Sequence, residues 1–190
     1  SVLNADDAYS MRLMPDLDSK IAIFSVDENN PHIKKFAKEG KVTCVYEEGF
    51  VTIKKGDWKI RITKVKSIPI TMEGKAKFMI SNVLAASLAT YLYGFEIEDI
   101  ANSLRTFIPS PMLMPGRLNI FKFKKFHVLI DFAHNPAGYE AIEDYLSNVE
   151  ATKKIGIISG VGDRRDADIK ECGKIAGRMF DYIIIRRSSQ

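Results

Sequence analysis

Cysteine is scarce: Cys44 and Cys172 are the only two in 190 residues, far apart and each in apolar surroundings. That excludes a disulfide framework and a thiolate metal spacing, and it fits a reducing cytoplasm. Charge of one sign is lacking too. The 28 basic and 24 acidic residues are dispersed and leave a net +4, which is no footprint for nucleic acid. There is no initiating methionine, no signal peptide and no apolar run of membrane length, so no membrane association is expected. His32 and His127 have no companion ligands, so a metal site made of this chain's side chains alone is not expected. No G-x-x-x-x-G-K-[ST] phosphate loop occurs, and no Ser-His-Asp or Cys-His pair presents itself. What remains is 46% hydrophobic and 27% charged, the ordinary balance of a globular protein with core enough for one large domain or two small ones.

The periodicity of the chain changes along its length. KIAIFSVD (20–27) reads as a short buried strand, and NPHIKKFAKEG as a helix closed by Gly40. KVTCVYEEGFVTIKKGDWKIRITKV then alternates apolar and polar residues, with breaks at Glu48-Gly49 and Gly56-Asp57, the pattern of a three-stranded antiparallel meander. KFMISNVLAASLATYLYG has helical spacing at Phe78, Leu84, Leu88 and Leu92, with Gly94 as its stop, and FEIEDIANSLRTFI is a second helix. Pro109, Pro111 and Pro115 in PSPMLMPGR can neither continue a helix nor donate to a ladder, so this segment is the expected link between domains 1–110 and 111–190. Beyond it lie a hairpin, LNIFKFKKFHVLID, and the apolar runs HVLID, IGIIS and YIIIR separated by helices. Runs of that kind are buried on both faces if they form a parallel sheet, the doubly wound α/β arrangement.

Two junctions carry candidate chemistry. In DFAHNPAGYEA, Asn135 and Pro136 are explained as a helix cap and first-turn pair, since asparagine accepts from free amides and proline lacks a donor that has no partner there. Asp131 and His134 are not explained by capping; they sit at the carboxyl end of a strand, where open parallel sheets bind ligands. GVGDRRD (160–166) occupies the same position after the next strand, with Arg164 and Arg165 for charge, but it lacks the third glycine of a dinucleotide fingerprint. A turn with Asp166 as helix cap accounts for it equally. Asn82 lies within an apolar helix, where asparagine is a poor former and needs a partner.

The ordered set VLNADD, SNVLAAS, PGR, DFAHNPAGYEA and GVGDRRD resembles the Mur ligase family, and within it the cyanophycin synthetase branch. PGR followed by DFAHNP at this distance is its most specific part. The resemblance implies an α/β fold: the end of a central ATPase domain with its meander, then a truncated Rossmann-like C-terminal domain. It implies an enzyme that uses ATP and Mg²⁺ to phosphorylate a carboxylate, after which an amine displaces phosphate to form an amide. In the cyanophycin branch, arginine is joined to an aspartate side chain of a growing aspartate-rich polymer. By the same resemblance Asn82 contacts adenine, Arg117 reaches the nucleotide across a domain interface, and Asp131 holds the ribose hydroxyls. His134 and Asn135 then face the acyl phosphate and the incoming amine, and Asp163 and Arg164 lie on a loop near that pocket. The phosphate loop and the Mg²⁺ ligands are expected before Ser1, so the 190 residues are expected to be an inactive piece. Other Mur-type ligases, acting on peptidoglycan precursors or folate, remain as alternatives, as does a non-catalytic nucleotide-binding module. A homo-oligomer is left open.

Overall fold

A computed structural model describes residues 1–160 and 164–186 and divides into two compact units, Ser1–Ile108 and Pro109–Gln190. In the first, β1 (Val2–Asn4), β2 (Ala22–Ser25), β3 (Val42–Glu47), β4 (Phe50–Lys55) and β5 (Trp58–Lys64) form one mixed sheet in that order. The first three strands run parallel, linked by α1 (Ala8–Leu13) and α2 (Pro31–Lys38), while β3, β4 and β5 form the expected antiparallel meander. Its first turn takes φ of 49° at Glu48 and 86° at Gly49, the two left-handed positions of a tight hairpin whose twist matches its strands.

Strand alternation sends neighbouring residues to opposite faces, and a helix packs on each. Ile23 and Val45 meet Ile33 and Phe36 of α2. On the other face Cys44, Val51, Ile53 and Ile62 cluster with Ile80, Val83, Leu84 and Leu88 of α3 (Lys77–Tyr93) and with Ile100 and Ala101 of α4 (Ile97–Thr106). The buried stripe of α3 is therefore Met79, Ile80, Val83, Leu84, Ser87 and Leu88: Leu84 and Leu88 of the expected line are buried, and Phe78 and Leu92 are not. At about 100° per residue Phe78 points well away from Leu84, and Leu92 in the last turn is 46% exposed. Gly94 ends the helix as expected, at φ 103°, with the Gly94 and Phe95 amides donating to Tyr91 and Thr90 carbonyls.

In the second unit β6 (Asn119–Lys122) and β7 (His127–Ile130) form an antiparallel hairpin, followed by α5 (Pro136–Ser147), β8 (Ile155–Ser159), α6 (Asp166–Met179) and β9 (Tyr182–Arg186). β8 pairs with β9 in parallel, and α5 packs against α6, where the Arg178 guanidinium takes both carboxylate oxygens of Glu143 at 3.1 Å. The α/β class stands, with one correction. The three apolar runs do not form one sheet buried on both faces: β7 pairs only with β6, and Ile157 and Ile185 are 72% and 77% exposed. Every residue of β9 is exposed, and in β8 only Gly156 is buried, where a Cβ would lie 2.4 Å from the Phe180 ring. Asp166 is the first residue of α6 and not its cap, a position held by Arg165.

Candidate functional site at the hairpin and helix junction

The second unit ties the Pro-Gly-Arg segment to the strand-to-helix junction through main-chain atoms. Pairing of Asn119 with Ile130 in the β6–β7 ladder sets the two segments side by side. Beyond that last rung the Phe132 amide donates to the Gly116 carbonyl at 2.7 Å. Gly116 adopts φ +66°, a left-handed conformation that suits glycine, and Leu118 holds φ +48° while 99% buried, at 1% exposure. A leucine in that region costs about 1–2 kcal/mol, so its surroundings must over-determine it.

Asp131 supplies part of that constraint. Its Oδ2 accepts from the Leu118 amide and its Oδ1 from the Ala133 amide, both at 2.8 Å. The half-buried carboxylate thus clasps the two segments. An ionised carboxylate has about four acceptor positions, so two lone-pair directions stay available beyond the two amides. Sequence reasoning assigned Asp131 to a ligand and missed this second task.

His134 follows on the same turn. Its Nδ1 lies 2.9 Å from the Phe132 carbonyl, which can only accept, so Nδ1 carries a proton and the lone pair of the neutral ring is the one on Nε2. The ring stands 5.2 Å from that of Phe132, tilted by 56°. Asn135 caps α5 as expected: Oδ1 accepts from the Gly138 amide at 2.8 Å, and Pro136 takes the first helical position. The helix start is crowded, since a Cβ on Gly138 would fall 3.2 Å from both Ala133 Cβ and Asn135 Oδ1. The cap occupies the asparagine oxygen and leaves the Nδ2 donor group of this exposed residue free of the cap, at a helix end that carries partial positive charge.

Arg117, Asp131, His134 and Asn135 thus lie on two segments of the second unit that these hydrogen bonds hold side by side. Arg117 is exposed and makes no ion pair among the described residues. Asn82 belongs to the first unit, where it is exposed on α3 with its Nδ2 3.8 Å from the Met79 sulphur, so its helix face is a solvent face. Arg164 is exposed ahead of α6, and Asp163 lies outside the described residues. Among the described residues no group of three His, Cys, Asp or Glu side chains converges on a metal position, and no helix is long and apolar enough to cross a membrane.

The residue that sequence reasoning passed over is Asn119. It is 6% exposed. Its Oδ1 accepts from the Gly116 amide at 2.8 Å, and its Nδ2 donates to the Met114 and Arg117 carbonyls at 3.0 and 3.3 Å. Its place directly after Pro-Gly-Arg-Leu, at the start of a strand and ahead of Ile120 and Phe121, was the available signal.

No family model matches the chain. It is 45% identical over 186 residues to a cyanophycin synthetase of Geminocystis herdmanii, an alignment covering 98% of this chain and 21% of that protein. It is 26% identical over 186 residues to a UDP-N-acetylmuramoyl-L-alanyl-D-glutamate–2,6-diaminopimelate ligase of Caldanaerobacter subterraneus, covering 97% of this chain and 35% of the relative. Among solved structures, the UDP-N-acetylmuramoylalanyl-D-glutamyl-2,6-diaminopimelate–D-alanyl-D-alanyl ligase of Acinetobacter baumannii superimposes with a TM-score of 0.60 at 15% identity, over 97% of this chain and 37% of that one. FolC of E. coli in complex with ADP gives 0.58 at 15% identity, over 90% of this chain and 40% of that one. The chain thus spans about a fifth of the length of the cyanophycin synthetases it matches (21%). Over nearly its whole length this chain is a sequence relative of the cyanophycin synthetases and, more distantly, of the Mur ligases, whose fold it shares.

Proposed function

We propose that this chain works as part of an ATP-dependent amide ligase of the cyanophycin synthetase type, joining arginine to an aspartate side-chain carboxyl of a growing polymer. Residues 1–110 would contribute the end of a central ATPase domain, and residues 111–190 the start of a C-terminal domain. The observation that carries the proposal is the clasp. In a chain 45% identical to a cyanophycin synthetase, the Arg117 loop and the Asp131–Asn135 junction are bound to each other by direct hydrogen bonds.

The chemistry asked of such a site is placement and charge neutralisation. ATP supplies the phosphoryl group that activates the carboxylate. Arg117 offers a planar, permanently charged donor fork suited to a phosphate or to a ring edge. The remaining acceptor positions of Asp131 suit a pair of ribose hydroxyls. The lone pair on Nε2 of His134 is suited to take a proton from the incoming α-amine. The Nδ2 group of Asn135, at a helix start, is suited to hold an anionic oxygen beside it. The adenine contact is assigned to Asn82, whose exposed position on α3 is compatible with it. Arg164 and Asp163 are assigned to substrate binding. The Mg²⁺ ligands are assigned to a part of the ligase other than these residues.

The test is a ligation assay on the longer ligase in which this chain is proposed to work, with ATP, arginine and an aspartate-rich primer. Arginine-dependent ADP release with growth of the primer is expected, and no ATP turnover is expected from the 190 residues alone. ADP release that ignores arginine while responding to another amino acid would contradict the assigned substrate. Robust turnover by the 190 residues would contradict the division of labour.

A further inference from the structure

We propose that Asn119 is the positioning residue for Arg117: it sets the loop from which the guanidinium reaches the nucleotide. The proposal rests on the nucleotide role given to Arg117 above and goes beyond it, because Asn119 itself would touch no substrate.

Three observations carry it. Asn119 is nearly buried, at 6% exposure, so its amide group is not there for solvent. The three hydrogen bonds of its side chain go to the main chain of the loop that ends in Arg117: Gly116 N–H into Oδ1, and Nδ2–H onto the Met114 and Arg117 carbonyls. One planar group with an acceptor on one side and two donors on the other therefore fixes residues 114, 116 and 117 together. A hydroxyl or a carboxylate cannot supply both sides of that pattern. The loop also needs such a template, since it holds left-handed conformations at Gly116 (φ +66°) and at Leu118 (φ +48°) within three residues. Leucine does not hold that conformation by preference. The Asp131 carboxylate pins Leu118 from one side, and Asn119 pins Gly116 and Arg117 from the other.

An exposed arginine has many rotamers, and ordering a long side chain on binding costs of the order of 1–2 kcal/mol of entropy. A loop held in one conformation reduces the search to the side chain alone. Loss of Asn119 would return the backbone of residues 114–117 to a mixture of conformations, and only some of them would aim Arg117 at its target. The loss would appear in ATP affinity and would vanish once Arg117 is absent.

That dependence is the test. In the longer ligase, ATP KM, arginine KM and kcat are measured for the wild type, Asn119→Ala, Arg117→Ala and the double variant. Asn119→Ala is expected to raise ATP KM about tenfold, with arginine KM changed less than twofold, because the lost bonds act through one charged contact. In the Arg117→Ala background the same substitution is expected to add less than a factor of two. A full multiplicative effect in that background would overturn the proposal, as would an unchanged ATP KM in Asn119→Ala. An Arg117→Ala variant with wild-type ATP KM would instead sink the nucleotide role of Arg117, a different failure. If Asn119→Ala does not fold, two further measurements decide. Asn119→Asp keeps the acceptor for Gly116 and turns a carboxylate toward two carbonyls, and it is expected to show the same selective rise in ATP KM. Amide exchange of Gly116 in the wild-type protein is expected to be slowed at least tenfold relative to an open loop. A Gly116 amide exchanging at the open-loop rate would overturn the proposal without any variant.

Discussion

Asp131→Ala is expected to damage the second unit and the nucleotide site together. The substitution removes the acceptors of the Leu118 and Ala133 amides, each bonded at 2.8 Å. Hydrogen bonds to charged groups contribute about 1.5–3 kcal/mol each, and the carboxylate is only half-buried, so a combined loss on the order of 3 kcal/mol is expected. Leu118 is then left in a left-handed conformation with its amide unpaired inside the protein. The midpoint of thermal or denaturant unfolding should fall, and in the longer ligase ATP KM should rise at least tenfold. Asp131→Asn separates the two tasks. It keeps an acceptor for one amide but turns an NH₂ group toward the other, and it offers the ribose a weaker, neutral partner. It is expected to recover part of the stability and little of the ATP affinity. If Asp131→Ala lowers stability while ATP KM stays at the wild-type value, the carboxylate is a backbone clasp alone and the ribose assignment is wrong.

Glu47 should give the first unit a marked dependence on acid. Its side chain is 6% exposed and takes the Lys54 ammonium at 2.6 Å and the Lys59 ammonium at 3.0 Å. Burial pushes its pKa up, but the hydrogen bonds and the positive charges of Lys54 and Lys59 together outweigh that, and the net direction is down from the ordinary glutamate value. A carboxylate whose folded pKa is depressed contributes stability that is present above the unfolded pKa, about 4.3, and is lost as pH falls through the lower folded value. Unfolding free energy of the wild type should therefore decline with falling pH in the region below about 4.3. Glu47→Gln should flatten that decline and lower stability at neutral pH by roughly 1–3 kcal/mol, since two cations on adjacent strands lose their shared counterion. An identical acid slope in the variant would show that other carboxylates set it.

Much of this architecture was legible in the chain. Strand alternation from Lys41 to Val65 and the Glu48-Gly49 and Gly56-Asp57 breaks announced the meander, because a period of two admits few other structures. Asn135-Pro136 announced a helix start for a local reason that needs no tertiary contact. Long-range facts were not legible. Ile157 and Ile185 look like core by composition and stand exposed, because burial depends on what lies across from a strand and not on the strand itself. Asn82 reads as a polar residue in need of a partner among apolar neighbours, and only the phase of α3 shows that it faces solvent. The clasp was the least visible feature. Asp131, Leu118 and Asn119 act through backbone amides, and the partners of an amide leave no mark in residue identity.

In the proposed function the Pro115–Arg117 loop and the Asp131–Asn135 junction together grip a nucleotide. The most direct test is amide hydrogen exchange of the longer ligase with and without saturating ATP and Mg²⁺. Slowed exchange confined to peptides spanning residues 114–118 and 131–138, and lost in Arg117→Ala, is the predicted result. Unchanged exchange in both segments, at ATP concentrations where the enzyme turns over, would contradict the claim.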